Sequence, residues 1–142
     1  MRFEPLSSEN AKLIKEWFIK PIPENRFIQF YEDTDKWMRL IHDSDDRYGY
    51  IVYKDEQMIG FADIELEGDT ASTAIGIKPE LRGQGLGKEL MKAIFDLPIL
   101  HNVHKLIGGV ETDNIASTRM LLSLGYVQGE DDEGVIEFTR LI

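Results

Sequence analysis

Three alternating glycines form the segment of this chain with the clearest chemistry: Gly83, Gly85 and Gly87, with Arg82 before them and Lys88 after them. A short apolar run precedes this loop, and apolar residues at helical spacing follow it. A strand that enters a glycine turn and then a helix points backbone N–H groups and the positive end of the helix dipole at one place. Glycine also lets a ligand come close to the backbone. The segment therefore predicts a binding site for an anion, and phosphate is the anion we expect.

The spacing of the glycines decides between the known phosphate-binding loops. A Walker A loop requires Gly at the position of Arg82 and Ser or Thr at the position of Glu89, so it is excluded. A dinucleotide-binding loop requires two residues between its second and third glycines, whereas one residue separates Gly85 from Gly87. The pattern Arg82-x-x-Gly85-x-Gly87 instead resembles the acetyl-coenzyme A loop of the GNAT superfamily of N-acetyltransferases. A glycine-rich helix entry that binds nothing is the alternative interpretation.

A second segment carries the same resemblance. Asn114-x-x-Ser117, followed by Gly125-Tyr126, is similar to the N-x-x-[AS]…G-[FY] segment of that family. The local pattern predicts a helix, because Asp113 or Asn114 can cap its start and Gly125 suits the left-handed position just past its end. The resemblance implies that Asn114 and Ser117 face the pantetheine arm of coenzyme A. Taken alone, Asn114 is interpreted as an ordinary helix cap.

Together the two segments imply a site for acetyl-coenzyme A as co-substrate, without a metal ion. In the family, the loop amides hold the pyrophosphate, and backbone N–H groups of the preceding strand polarise the thioester carbonyl. The residues that the resemblance assigns to this site are Ile75, Ile77, Arg82, Gly83, Gln84, Gly85, Leu86, Gly87, Lys88, Asn114 and Ser117. The three histidines, His42, His101 and His104, do not have the spacing of metal ligands.

The residues that would move protons depart from the commoner family pattern. Many members place a tyrosine seven residues after the motif Asn as general acid, and this chain has Leu121 there. Glu65, Glu67 and Glu111 are candidates for the general base by proximity alone, and each could instead be a solvated strand-end carboxylate. We name Glu65 as base and Ser117 as donor to the leaving thiolate. Water could replace either, and Ser117 could instead be a small residue that lets the pantetheine arm pass.

Length and composition indicate one domain over residues 1–142, with 42% hydrophobic residues to form its core. The chain has no cysteine, which excludes disulfides, cysteine zinc sites and a cysteine nucleophile. No apolar run approaches the roughly 20 residues of a membrane-spanning helix, and the first residues lack a signal-peptide pattern. We therefore expect a cytoplasmic protein without a membrane partner, as a monomer or a homodimer.

The net charge of −10 bears on the choice of partner. It opposes binding to nucleic acid, since the Lys and Arg residues are scattered and form no basic patch. It favours a cationic amine as acceptor, such as an aminoglycoside, a polyamine or a peptide N-terminus. The densest acidic runs, residues 43–46 and 130–133, are expected in solvated loops.

Hydrophobic periodicity and turn signals predict the element order β-α-α-β-β-β-α-β-α-β-β. The expected strands are residues 3–6, 48–53, 57–66, 70–77, 103–111, 126–128 and 134–141. Helices are expected after Ser7 or Ser8, after Thr34 (with Trp37, Met38, Leu40 and Ile41 inward), after the glycine loop and after Asn114; residues 21–32 receive no assignment.

This element order resembles the GNAT acyl-CoA N-acyltransferase fold. That fold is α/β (α+β), with a central mixed, mostly antiparallel seven-stranded sheet flanked by about four helices. The resemblance implies that the parallel strands expected at residues 70–77 and 103–111 splay apart and admit the cofactor.

We therefore expect an acetyl-CoA-dependent N-acetyltransferase in which a primary amine attacks the thioester directly within a ternary complex. Proximity supplies much of the rate, and an amine with a pKa of about 10 must lose a proton before it attacks. Residues 20–35 and the last hairpin are expected to bind the acceptor, whose identity the sequence leaves open. The alternative is a coenzyme A-binding sensor or partner-binding module without turnover, which Leu121 favours.

Overall fold

Our computed structural model describes residues 1–20, 22–23, 25 and 33–142. In these residues, seven β-strands form one sheet and four α-helices lie on its faces. In chain order the elements are β1 (Arg2–Pro5), α1 (Ser8–Phe18), α2 (Thr34–His42), β2 (Arg47–Lys54), β3 (Gln57–Glu67), β4 (Thr70–Ile77), α3 (Leu86–Ile94), β5 (Lys105–Glu111), α4 (Ile115–Ser123), β6 (Val127–Asp132) and β7 (Val135–Leu141). Single 3₁₀ turns follow β4 and α3, at Pro79–Leu81 and Pro98–Leu100. The predicted order of elements is confirmed, and α1 begins after its predicted cap, Ser7.

The strand order is β1-β2-β3-β4-β5-β7-β6, and every neighbouring pair in this sheet is antiparallel except β4 with β5. These two strands are parallel and pair at three positions: Thr70 with Lys105, Ala71 with Leu106, and Ser72 with Ile107. Beyond that point they separate, while β4 stays paired with β3 up to Ile77 and β5 stays paired with β7 up to Glu111. The sheet is therefore mixed and splayed at its centre, which confirms the predicted fold.

The hydrophobic core has one part on each face of the sheet. α3 and α4 pack on one face, against Ile64 among others, and α1 and α2 pack on the other, around Phe61. The rings of Phe18 and Trp37 meet the Phe61 ring edge-on, with centroids 5.8 and 5.3 Å away. Because side chains alternate along a strand, β3 is buried on both faces. This packing holds β3 in place, and β3 in turn holds β4 at one side of the gap.

Helix α2 departs from the sequence prediction in two respects. Its cap is Asp33 rather than Thr34, because the Asp33 carboxylate accepts a hydrogen bond from the Lys36 amide at 3.0 Å. A carboxylate is also favourable beside the positive end of the helix dipole. Leu40 is 36% exposed instead of facing inward, whereas Trp37 is fully buried.

The last hairpin also differs from the prediction. β6 continues to Asp132, so most of the predicted acidic loop is a strand. The turn consists of Glu133 and Gly134, which both have positive φ angles of 52° and 87°, as tight two-residue hairpins require. Every residue of this edge strand is exposed, so its carboxylates still reach water. The other acidic run, residues 43–46, lies in the exposed connection between α2 and β2, as predicted.

Candidate active site

The gap between β4 and β5 opens into a cleft of about 360 Å³. The diverging halves of the two strands, the glycine loop with the start of α3, and one side of α4 form its walls. The lining residues are 73–77, 81–83, 85–87, 91, 108–111, 114, 116–117 and 120–121. All the residues predicted to hold the cofactor lie in this set except Gln84 and Lys88. The fold therefore brings the two sequence segments together at one place.

The β4 wall presents backbone groups to the cleft. Just after β4, the Lys78 amide donates a hydrogen bond to the Ile59 carbonyl on β3, at 2.8 Å. Successive residues of a strand direct their N–H groups to opposite sides, so those of Ile75 and Ile77 point away from β3 and into the gap. Strand β5 does not reach them, since its pairing with β4 ends at Ser72. Both residues thus offer backbone donors to a ligand between the strands.

The glycine loop forms one end of the cleft. Gly83 and Gly85 both have a φ angle of 78°, a left-handed conformation that favours glycine, and Gly85 is the N-cap of α3. A Cβ atom at either position would meet no atom within 4 Å. At Gly87, by contrast, a Cβ atom would lie 3.4 Å from the Met120 sulfur on α4. The amides that begin α3 therefore adjoin space that a phosphate group can enter.

Helix α4 provides another wall of the cleft. The side-chain oxygen of Asn114 accepts a hydrogen bond from the Ser117 amide at 3.3 Å, so Asn114 caps the helix. Both residues line the cleft. Leu121 lines it one turn further on, and its methyl carbon would lie 3.7 Å from a Cβ atom at Gly108. At the position where the resemblance noted from the sequence implies a tyrosine, an apolar side chain therefore lines the cleft.

Comparison with known proteins identifies the family. A model of the Acetyltransferase (GNAT) family matches residues 11–126. The chain belongs to the GNAT acetyltransferase family. The predicted family is confirmed, and both motif segments lie within the matched residues or end at their limit, Tyr126.

Relatives of this GNAT domain include the acetyltransferase PseH of Campylobacter jejuni subsp. jejuni, 30% identical over 101 residues. That match covers 66% of this chain and 64% of PseH, which is less than two thirds of the relative. The crystal structure of Campylobacter jejuni N-acetyltransferase PseH in complex with acetyl coenzyme A has a TM-score of 0.78 and 20% identity, over 99% of this chain and 97% of that chain. A spermidine N-acetyltransferase, the SpeG chimera from Vibrio cholerae and hSSAT, has a TM-score of 0.78 and 16% identity, over 99% and 96%. These two structures share the fold.

Few ionisable side chains reach the cleft of this GNAT domain. Among the described residues that line the cleft, Glu111 is the one carboxylate and Arg82 the one cation, while Ser117 and Thr73 supply hydroxyl groups. Thr73 was not among the predicted site residues. Its place in the cleft depends on where β4 and β5 separate, and it directly follows Ser72, the last residue of β4 that pairs with β5. Of the three carboxylates proposed from proximity, the fold brings Glu111 to the cleft.

The structure places Glu65, the predicted base, away from the cleft. Its carboxylate lies 3.4 Å from the guanidinium of Arg47 and is 56% exposed. Arg47 binds the buried Asp63 more closely, with one carboxylate oxygen at 3.1 Å and the other at 2.6 Å. Glu65 pairs with Ser72, at the end of β4 where β4 and β5 are still joined. Glu65 was chosen for its place on the strand beside β4, but that place leaves its carboxylate outside the residues that line the cleft.

Tyr126, the last residue of the second motif segment, belongs to the core rather than to the cleft lining. Burial raises the pKa of its hydroxyl to about 12, against the opposing influence of Arg140 and the Thr73 hydroxyl. The side chain therefore stays neutral at physiological pH, and it supports the cleft by packing.

The described residues were also compared with the requirements of a metal site and of a membrane-spanning helix. Within the described ranges 1–20, 22–23, 25 and 33–142, no three His, Asp or Glu side chains are grouped so that they could hold a metal ion. In the same part of the chain, each helix is too short or too polar to cross a bilayer.

Proposed function

We propose that this GNAT protein transfers the acetyl group of acetyl-coenzyme A to a primary amine by direct attack in a ternary complex. The observation that carries the proposal is the cleft between β4 and β5, with inward backbone donors on one wall and the glycine loop at its end. Acetyl-coenzyme A fits these residues: the loop and the start of α3 suit the pyrophosphate, and the mainly apolar walls suit the pantetheine arm.

The reaction requires the amine nitrogen to bond to the thioester carbon while the carbon–sulfur bond breaks. Backbone N–H groups of Ile75 or Ile77 are placed to stabilise the negative charge that develops on the carbonyl oxygen. The thiolate leaves with the electron pair and takes a proton, and its conjugate thiol has a pKa of only about 8.5, so it needs modest assistance. Holding amine and thioester together supplies much of the rate.

Glu111 is our candidate for accepting the proton that the amine loses. It lines the cleft at the end of β5 and is partly buried, so it can meet both a bound amine and solvent. A primary amine is almost wholly protonated at neutral pH, so a nearby carboxylate first attracts the ammonium form and then removes its proton, directly or through water. Ser117 is our candidate donor to the thiolate, because it lines the α4 wall of the same cleft.

The acceptor we propose is a cationic amine. Glu111 pairs with Val135 on β7, and Gly109 pairs with Glu137, so the two glutamates lie on one face of neighbouring strands. Such diagonal neighbours are about 7–8 Å apart. That face is the one opposite the core residues Val110 and Ile136. Together with the net charge of −10, this favours polyamines, aminoglycosides or peptide N-termini over anionic amines.

Acetyl-coenzyme A consumption with a panel of amines tests the proposal. The panel contains spermidine, an aminoglycoside, peptides with unmodified N-termini and an anionic amino acid as the contrasting acceptor. We expect turnover that depends on the amine and yields an N-acetylated product by mass spectrometry. Coenzyme A binding without turnover on any amine would favour the second candidate, a sensor or partner-binding module, which Leu121 in the usual tyrosine position supports.

A further inference from the structure

The side chain of Arg82 reaches from the glycine loop to the segment that follows α1. Its Nη2 donates a hydrogen bond to Oδ1 of Asn25 at 2.7 Å, and its guanidinium carbon lies 5.7 Å from the centre of the Phe18 ring. Asn25 is only 4% exposed, and its Nδ2 donates to the Lys20 carbonyl at 3.0 Å. The buried side-chain amide of Asn25 therefore joins the glycine loop to the residues just after α1.

Two other contacts between described residues join the end of α1 and Lys20 to the residues just before the glycine loop, but they lie at the surface. The Lys20 ammonium bonds to the Glu80 carboxylate at 3.0 Å, which lowers the pKa of Glu80, and both side chains are about half exposed. The Lys78 ammonium lies 5.6 Å from the centre of the Trp17 ring. Exposed ion pairs contribute little because water and salt screen them. The bond between Arg82 and Asn25 is the more shielded connection.

The glycine loop has little packing of its own. Gly83 and Gly85 lack side chains, and the space where their Cβ atoms would lie contains no atom within 4 Å. Glycine has more backbone freedom than any other residue, so ordering such a loop costs more conformational entropy. The conformation that presents the amides must therefore be held at the two ends of the loop, by α3 on one side and by Arg82 on the other.

We propose that Asn25 is a positioning residue for coenzyme A: by holding Arg82, it fixes the loop in the conformation that receives the pyrophosphate. The inference rests on the proposed function, because it takes this loop as the coenzyme A site. Asn25 is not among the residues that line the cleft, so it acts through Arg82. Linkage requires that bound coenzyme A stabilises the bond between Asn25 and Arg82 by the same free energy.

Calorimetric titration with coenzyme A tests this inference in four proteins: wild type, Asn25→Ala, Arg82→Ala and the double variant. We expect Asn25→Ala to weaken binding about tenfold, which corresponds to one buried hydrogen bond. The double variant should lose no more than Arg82→Ala alone, since the two residues act as one unit. In turnover, KM for acetyl-coenzyme A should rise while kcat at saturation is unchanged. Unchanged binding by Asn25→Ala would overturn the inference, because the loop would then not need Asn25. Tighter binding would also overturn it, because it would mean that Arg82 contacts the phosphate better without Asn25.

Two further variants provide controls. Lys20→Ala removes the neighbouring exposed contact and should change affinity less than about twofold. Asn25→Asp keeps an oxygen acceptor for Arg82 but loses the Nδ2 donor to the Lys20 carbonyl, so its affinity should lie between those of wild type and Asn25→Ala. Equal losses in Lys20→Ala and Asn25→Ala would contradict a specific role for Asn25.

Amide hydrogen exchange without ligand separates this inference from the proposed function. We expect the amides of residues 83–87 to exchange faster in Asn25→Ala, while those of β3 are unchanged. If the wild type binds no coenzyme A, the proposed function fails, yet exchange in the loop still reports whether Asn25 holds it. Identical loop exchange in the two proteins would overturn the inference by itself.

Discussion

The cofactor side and the acceptor side that we propose for this domain are built from different chemical groups. On the cofactor side, β4, the glycine loop and the start of α3 offer backbone N–H groups between mainly apolar walls. On the proposed acceptor side, Glu111 at the end of β5 lines the cleft, and Glu137 on β7 adds a second negative charge on the same face outside that lining. Coenzyme A is a polyanion and a protonated amine is a cation, so each side suits a ligand of the opposite character.

This difference explains why one side could be recognised in the sequence and the other could not. A backbone site requires glycine at fixed spacings, because the ligand must approach the main chain. A side-chain site requires only that some suitable group reach the right place, which any of several positions can do.

Glu111→Gln should have the largest effect, on the acceptor side. Removing a general base typically costs 10²-fold or more, so we expect kcat at neutral pH to fall by about 100-fold with little change in KM for acetyl-coenzyme A. The deficit should shrink as pH rises toward the amine pKa of about 10, because the unprotonated amine then needs no base. A pH–rate profile of wild type and variant measures both effects.

Glu65→Gln is the matched control for this substitution, since Glu65 is a carboxylate on β3 outside the cleft. It should leave kcat within about twofold of wild type. A large loss in Glu65→Gln together with a normal rate in Glu111→Gln would reverse our assignment and restore Glu65, the base chosen in the sequence analysis.

Gly87→Val should have the next largest effect, on the cofactor side. A Cβ atom at Gly87 makes ordinary contacts with Met120 and Ile77, but the added methyl groups of valine would occupy the cleft where the loop meets α3. We expect coenzyme A to bind about 30-fold more weakly, the equivalent of roughly 2 kcal/mol, or one charge-assisted hydrogen bond. Calorimetric titration measures the affinity.

Gly87→Ala separates binding from stability. Alanine in a helix is about 1 kcal/mol more favourable than glycine, so this variant should unfold at a higher temperature while it binds coenzyme A more weakly than wild type. Lys92→Val, on the exposed side of the same helix, should leave affinity unchanged. Unaltered affinity in Gly87→Val would mean that the cofactor does not pass this wall.

The sequence signals on the cofactor side are local, so the backbone features that they predict are found. Gly125 has the left-handed conformation that its motif position suggested, and Asn114, one of the two predicted caps, caps its helix. Glu65 lies outside the cleft lining for a reason that no local pattern reveals. Whether a residue of β3 lies beside the cleft depends on where β4 and β5 part, which is set by their three-residue pairing.

Other parts of the chain also differ from what the sequence predicted. Leu40 fits the apolar stripe of α2 yet is exposed, because the sheet beneath that helix accepts Trp37 at the centre of the contact and leaves the flank of the helix uncovered. The predicted acidic loop became strand β6 because a glutamate and a glycine suffice for the turn. The expected acceptor segment at residues 20–35 falls largely outside the described residues, since 21, 24 and 26–32 are not among them.

Ser117→Ala should have a smaller effect, at the point where the two sides meet. Ser117 lines the α4 wall, and a hydroxyl that donates one hydrogen bond to the thiolate contributes roughly 1–2 kcal/mol. We expect kcat to fall about tenfold with nearly unchanged coenzyme A affinity. Thr73→Val, which removes the other cleft hydroxyl without changing its shape, is the matched comparison. A wild-type kcat in Ser117→Ala, where chemistry limits the rate, would make Ser117 a spacer for the pantetheine arm.

The smallest effect should come from Glu137→Gln, which tests the charge of the acceptor side alone. Glu137 is exposed on β7 and outside the cleft lining, so it should act through the field around the cleft rather than by contact. At low salt we expect KM for the best cationic acceptor to rise two- to threefold, within the roughly 0.2–1 kcal/mol typical of exposed charges. At 1 M salt the Debye length falls to about 3 Å, and the difference should disappear.

Asp96→Asn separates the effect of a charge's position from the effect of the net charge. It removes one negative charge, as Glu137→Gln does, but at a residue just after α3. It should leave the KM for the acceptor unchanged at every salt concentration. Equal effects of Asp96→Asn and Glu137→Gln would mean that the overall charge of −10, and not the face of β5 and β7, attracts the amine. An effect of Glu137→Gln that persists at 1 M salt would instead place Glu137 in direct contact with the acceptor, and would extend the acceptor side beyond Glu111.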